Sequence, residues 1–258
     1  MTAATVRMRK LTLGAVPIVG LGVLWVLAIR QGWADPRLLP SPLSVLRAPA
    51  DPFVSFLLVR GVKASLLRYA QGVAIGSSLG LLAGLWLGLS PRAWRMVGPT
   101  FNGLRQVAIF AWIPLLTAWL GVGEPAKIAF IALAAFKPMT LATQQGVSGV
   151  SGAYLETGRA LRLGRWPTIV KIMLPAAAPA LLTGLQLAFL SGWLATLGVE
   201  TLVGFGEGLG AMLLAGREHF RMDMVVLGIL VTGVIGLVFN LALRCCFNRL
   251  FPWRTAAG

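Results

Sequence analysis

Residues 154–175 read YLETGRALRLGRWPTIVKIMLP. These 22 residues hold four cations, Arg159, Arg162, Arg165 and Lys171, and one acid, Glu156. Long apolar runs lie on both sides, so the chain leaves an apolar phase here and then re-enters it. Leu161, Leu163, Ile169 and Ile172 offer apolar contacts. Arg159, Arg162 and Arg165 recur at a three-residue interval, which places side chains on one face of a helix. A short helix over about 153–165 is expected, lying on the membrane surface and able to dock into another protein. The plainer alternative is an ordinary basic loop.

The rest of the chain agrees with a membrane setting. Of 258 residues, 57% are hydrophobic and only 12% charged, with mean hydropathy +0.81. Soluble domains average about 45–50% apolar residues. The apolar segments are long enough to be helices, and no barrel-type alternation is seen. Six spans are expected, at about 11–29, 64–89, 97–120, 126–145, 176–199 and 224–246. The fold class is therefore an all-α membrane protein of about six transmembrane helices. The first span is read as retained; a cleaved signal peptide is the alternative.

The formal net charge is +15. In a soluble chain this would suggest nucleic acid. Here the cations collect in short loops between spans, as the positive-inside rule requires. With both termini in the cytoplasm, inner segments hold Arg7, Arg9, Lys10, Arg92, Arg95, Arg244, Arg249 and Arg254 beside the four loop cations. Seven of the eight acids then fall outside or at the outer edge, Glu156 being the exception. The loop at 154–175 becomes cytoplasmic, between spans four and five. The expected partners are the lipid bilayer and proteins, with no nucleic acid.

Gly72, Gly76, Gly80, Gly84 and Gly88 recur every four residues along the second span. Such a stripe lets another helix backbone approach closely. Each glycine weakens a helix by about 1 kcal/mol in water, so close packing must compensate. The partner helix belongs either to the same subunit or to a dimer or gating contact. Pro114, Pro138 and Pro179 fall inside spans and are expected to kink them.

Lys137 falls midway along the fourth span, where a cation costs about 2.5–3.5 kcal/mol on insertion scales. It is expected to face a cavity or to sit near carbonyls freed by Pro138. Arg105 and Arg68, in the third and second spans, either line the same path or snorkel to the interfaces. No acid is expected at a comparable depth, so a path lined by these residues suits an anion. Gln144, Gln145, Thr196 and Glu200 are polar residues near span ends. Trp112, Trp119 and Trp193 are read as belt or packing residues.

The loop resembles the EAA loop of ABC importer permeases, a Glu-Ala-Ala, a later Gly, then Ile-x-Leu-Pro. Glu156, Ile172, Leu174 and Pro175 match without a gap. Two positions depart: Glu-Ala-Ala is Glu156-Thr157-Gly158, and Arg162 holds the glycine position, with Gly164 two residues on. Further along, the chain is similar to the nitrate/sulfonate/taurine group of these permeases. The matching runs are Leu39-Pro40-Ser41-Pro42, Ser65 with Arg68, Ile113-Pro114-Leu115, Gly121-Val122-Gly123-Glu124, Gly208-Leu209-Gly210 and Phe220-Arg221-Met222-Asp223.

The resemblance implies a type I-like ABC importer permease with a cytoplasmic coupling helix. It divides the chain into 1–62 (tail, first span and outer loop), 63–250 (the permease domain) and a cytoplasmic tail at 251–258. It implies a second permease copy, two ATPase subunits and a periplasmic or lipid-anchored solute-binding protein, in the inner membrane of a bacterium. Glu156, Thr157, Gly158, Arg159, Arg162, Gly164 and Pro175 would couple to the ATPase. The solute expected is a small anion such as a sulfonate, taurine or nitrate. A permease for a neutral or cationic metabolite is the runner-up, and a stand-alone transporter is a third reading.

No enzyme is expected. The chain has no Gly-x-x-x-x-Gly-Lys-Ser/Thr phosphate loop, so ATP is expected to bind a partner and no cofactor to bind here. The one histidine, His219, reads as solvated. Cys245 and Cys246 are adjacent, which disfavours an unstrained disulfide, and they read as packing residues.

Overall fold

A computed structural model describes residues 17, 20–33, 35, 38–204 and 206–250, excluding the side chains of 244 and 246–250. The tail at 251–258 and the start of the first expected span, 11–16 with 18 and 19, lie outside the described residues. Helix α1 covers Gly20–Arg30. Helix α2, Pro42–Arg47, runs into a 3-10 turn at Ala48–Ala50. Then come α3 (Pro52–Leu89), α4 (Pro91–Gln106), a 3-10 turn (Ile109–Trp112), α5 (Ile113–Leu120) and α6 (Glu124–Ser148). Helix α7 covers Gly152–Ala160 and α8 covers Arg165–Thr168. A π turn at Ile169–Met173 leads into α9, Leu174–Val203. Helices α10 (Leu209–Glu218) and α11 (Met222–Leu250) follow. Among the described residues there is no strand.

Local chemistry starts several of these helices. The Asp51 carboxylate accepts from the Phe53 amide at 2.9 Å, and Pro52 opens α3. Ser90 Oγ accepts from the Ala93 amide at 3.2 Å, and Pro91 opens α4. An N-cap oxygen followed by proline satisfies one orphan amide and presets the first helical φ.

Among the described residues, four helical stretches are long and apolar enough to cross a membrane: Pro52–Leu89, Glu124–Ser148, Arg165–Val203 and Met222–Leu243. The second expected span starts earlier than its apolar run, because Asp51 and Pro52 begin α3. Its 38 residues extend roughly 57 Å, against a hydrocarbon core of about 30 Å. The third expected span is not one helix. It breaks between α4 and the following helical stretch with a bend of 98°. Val107 and Ala108 adopt extended backbone there, with ψ of 125° and 132°. Pro114 then stands in the first turn of α5, where its missing amide costs nothing, instead of kinking a long helix. Pro138 and Pro179 do lie inside α6 and α9.

The glycine stripe of α3 lies against α6 of the same chain. A Cβ on Gly72 would sit 2.6 Å from Ile131 Cβ, and one on Gly84 2.5 Å from Thr143 Cβ. Closest is Gly76, where a Cβ would fall 2.1 Å from the Ala132 carbonyl oxygen. Gly80 and Gly88 face Met139 and Val147 in the same way. Backbone here meets backbone, which only glycine permits. Beside this seam, Tyr69 stacks on Phe239 at 4.9 Å between ring centroids and meets Trp193 edge-on at 5.5 Å. Tyr69 Oη donates to the Phe189 carbonyl at 3.2 Å. These rings tie α11 to α3 and α9. Cys245, expected to pack, is exposed.

Candidate functional site

Among the described residues, three places in the bundle carry polar chemistry. The first is the end where α3 and α6 begin and α9 finishes. Glu200, near the end of α9, is 1% exposed and Arg68 is 2% exposed. Arg68 Nη1 donates to Glu200 Oε1. Arg68 Nε donates to Glu124 Oε2 at 2.7 Å, and Nη2 to Glu124 Oε1 at 2.5 Å and to the Glu207 carbonyl at 3.0 Å. Ser65 Oγ donates to both Glu200 oxygens, at 2.7 and 2.8 Å, and accepts from the Leu209 amide at 2.9 Å. The Gly210 amide donates to Glu200 Oε2 at 2.9 Å. One carboxylate therefore pins the start of α10, α3 and α9 together, and Arg68 adds α6 through Glu124. Gly208 and Gly210 make this possible, since a Cβ on either would fall 2.5–2.6 Å from Glu200 atoms.

This corrects two expectations. Arg68 neither snorkels nor lines a path; it is buried and paired. Acids do lie at its depth, Glu200 within the core and Glu124 at its rim. Buried charges are tolerated when paired and hydrogen-bonded, and here Arg68 makes four hydrogen bonds while both Glu200 oxygens accept at least one.

Just outside the membrane segment at the same end, Arg221 bridges Asp51 at 2.7 Å and Asp223 at 3.0 Å. The hydrogen bond from Arg221 holds the Asp51 carboxyl below the usual aspartate range. The same two carboxylates raise the Arg221 guanidinium above its ordinary value. The bridge fastens the start of α3 to the start of α11. His219, nearby at the end of α10, is exposed. Among the described residues no cluster of three metal-ligating side chains is found.

The second place is a cleft of about 660 Å³ between α4, α6 and α9. Arg105, Gln106, Lys137, Gln145 and Thr183 supply its polar lining, and none of its lining residues is acidic. Lys137 Nζ donates to the Val107 carbonyl at 3.3 Å and lies 6.0 Å from the Trp112 ring centroid. The carbonyl it meets is freed by the α4 break, not by Pro138. The break therefore has a chemical consequence: it brings Arg105 and an accepting carbonyl beside a lysine at mid-helix. Of the three expected path cations, the structure brings Arg105 and Lys137 together and places Arg68 elsewhere.

The third place is the loop at the opposite end. Glu156, Thr157, Arg159, Arg162 and Gly164 are exposed, and Gly158 is buried. A Cβ on Gly158 would lie 2.9 Å from Ile172 Cδ1, so the glycine seats α7 on the π turn. The expected helix over 153–165 stops at Ala160. The Arg162 amide donates to the Arg159 carbonyl at 2.9 Å and the Leu163 amide to the Gly158 carbonyl at 3.0 Å. These two bonds form a Schellman closure with Arg162 in the left-handed position, φ 49°. A left-handed non-glycine residue costs roughly 1–2 kcal/mol. The three arginines therefore do not share one helix face. Glu156 is the fifth residue of α7, and the first turn holds no acid, so the helix dipole does little for it. Pro175 stands in the first turn of α9.

A model of the binding-protein-dependent transport system inner membrane component family matches residues 76–254, which include the whole loop and both sides of the cleft. This chain belongs to that family. The permease is 32% identical to the putative aliphatic sulfonates transport permease protein SsuC of Bacillus subtilis (strain 168), over 96% of this chain and 88% of the relative. It is also 32% identical to the taurine transport system permease protein TauC of Escherichia coli (strain K12), over 96% and 90%. Its fold matches the structure described as inward-facing conformations of the MetNI methionine ABC transporter, with TM-score 0.59, covering 76% of this chain and 98% of that one. At 19% identity that likeness speaks for the fold alone. The permease is thus a membrane subunit of an ABC importer with the type I arrangement of helices.

Proposed function

We propose that this permease conducts a small anionic solute carrying a sulfonate or similar group. The observation that carries the reading is the cleft in which Arg105 and Lys137 stand with no acid among the lining residues. A mid-membrane cation persists when it faces a cavity or a partner, and two cations with no acid attract anions. The aliphatic sulfonate and taurine functions named for its relatives support the same solute class. A solute-binding protein delivers the anion at the end that holds the Arg68–Glu200 cluster. A second copy of the chain completes the path.

At the other end, two ATPase subunits dock on the loop through α7 and its exposed Glu156, Arg159 and Arg162, and supply the ATP hydrolysis. That end is cytoplasmic, as are both termini. The uneven distribution of cations supports this orientation. Closure of the ATPase pair pushes α7. Gly158 and Ile172 pass the push to the π turn, and Pro175 marks where it enters α9.

The test is uptake by proteoliposomes that hold the permease, its ATPase and its binding protein. The reading expects ATP-dependent uptake of an alkanesulfonate that Lys137→Met lowers and Glu156→Lys abolishes without loss of membrane insertion. Unchanged uptake by Lys137→Met would remove the cleft from the path. Normal uptake by Glu156→Lys would remove the loop from coupling.

A further inference from the structure

We infer that Arg162 anchors the ATPase on the permease, by aiming a guanidinium at a carboxylate on the ATPase surface. The inference rests on the reading of the loop as the ATPase contact. Arg162 occupies a left-handed turn that glycine would adopt without penalty. Two backbone hydrogen bonds hold it there, and the burial of Gly158 against Ile172 fixes the turn on the π segment. The side chain therefore leaves a rigid base in one direction, exposed to solvent. Among the described residues no ion pair engages Arg159, Arg162 or Arg165.

A cation held only for general attraction to anionic lipid needs no fixed direction, and Arg159 and Arg165 already supply such charge without strain. A planar guanidinium on a rigid base suits paired hydrogen bonds to one carboxylate. Leu161 and Trp166 flank the turn with 65% and 74% exposure. They add the apolar and aromatic surface found around arginine anchors in protein interfaces. The occupant favoured is therefore an acidic protein groove.

The experiment measures binding of a purified ATPase subunit, one that drives transport with the wild-type permease, to the permease in nanodiscs. Discs of zwitterionic lipid are compared with discs containing phosphatidylglycerol. Arg162→Gly is expected to fold at least as well as wild type by thermal melting, yet to bind about tenfold more weakly in both lipids. Arg162→Lys, which keeps charge but loses the planar fork, is expected to fall between. Wild-type affinity of Arg162→Gly would overturn the inference. So would a loss confined to the anionic discs, which would assign the arginine to lipid headgroups. No binding by the wild-type permease would overturn the docking reading itself and the inference with it.

Discussion

Arg68 and Glu200 lie 132 residues apart in sequence and form an ion pair whose two side chains are 2% and 0% exposed. Around it gather Ser65, Glu124 and the first amides of α10. Removing one partner takes the closest opposite charge from the other and leaves it buried, held by Glu124 and the Glu207 carbonyl in the case of Arg68 and by Ser65 and the Gly210 amide in the case of Glu200. Arg68→Met and Glu200→Gln should each destabilise the permease by about 3–5 kcal/mol, read as loss of the folded fraction on denaturant titration in detergent. The double variant Arg68→Met/Glu200→Gln should be less damaging than the sum of the two. Additive losses would show that the pair is not coupled.

Gly76 offers a second measure of the fold. Its Cβ position falls 2.1 Å from the Ala132 carbonyl oxygen, which is backbone and cannot rotate away. Gly76→Leu should force α3 and α6 apart, at a cost of about 1–3 kcal/mol or more. Gly103, exposed inside α4, has open space around it, and Gly103→Ala should cost nothing and raise stability by up to about 1 kcal/mol. Parallel thermal melts in one detergent make the comparison.

The sequence carries much of this architecture and hides particular parts of it. The spans announce themselves as apolar runs, and the four-residue glycine interval marks α3 as a close-packing helix. What sequence cannot show is the partner of that stripe, since α6 has no complementary repeat. The break at Val107 and Ala108 carries no glycine or proline, so no local signal marks it. Arg68 and Glu200 each read as a lone charge near a span, because nothing local records a contact across 132 residues. The signals available were Asp51-Pro52 as a helix start and Gly208-Leu209-Gly210 as a run without bulky side chains near Glu200. The left-handed turn at Arg162 was hidden because arginine gives no turn signal; only the glycine position of the EAA pattern pointed there.

That turn makes a prediction of its own. Arg162→Gly removes the left-handed strain but adds freedom to the unfolded chain. A net gain of about 0.5–1 kcal/mol in stability is expected, seen as a higher melting temperature. A lower melting temperature would mean that the arginine side chain makes stabilising contacts within the permease.

The Asp51–Arg221 bridge sets a pH dependence. Asp51 is held below its ordinary pKa by the hydrogen bond from Arg221. A depressed carboxylate contributes stability above its unfolded pKa, about 3.9, and that contribution is lost as pH falls through the lower folded value. The permease should therefore lose stability below about pH 4. Asp51→Asn should lose less over that range while being less stable near neutrality. Melting temperatures at neutral and acidic pH test this, and equal acid sensitivity in the two proteins would contradict it.

The cleft decides the central claim. Permease, ATPase and binding protein are reconstituted in proteoliposomes, and ATP-driven uptake of a radiolabelled alkanesulfonate is measured for wild type, Lys137→Met and the double variant Arg105→Gln/Lys137→Met. The account predicts uptake falling about tenfold or more in the single variant and further in the double, with ATPase assembly intact. Undiminished sulfonate uptake by the double variant would contradict it.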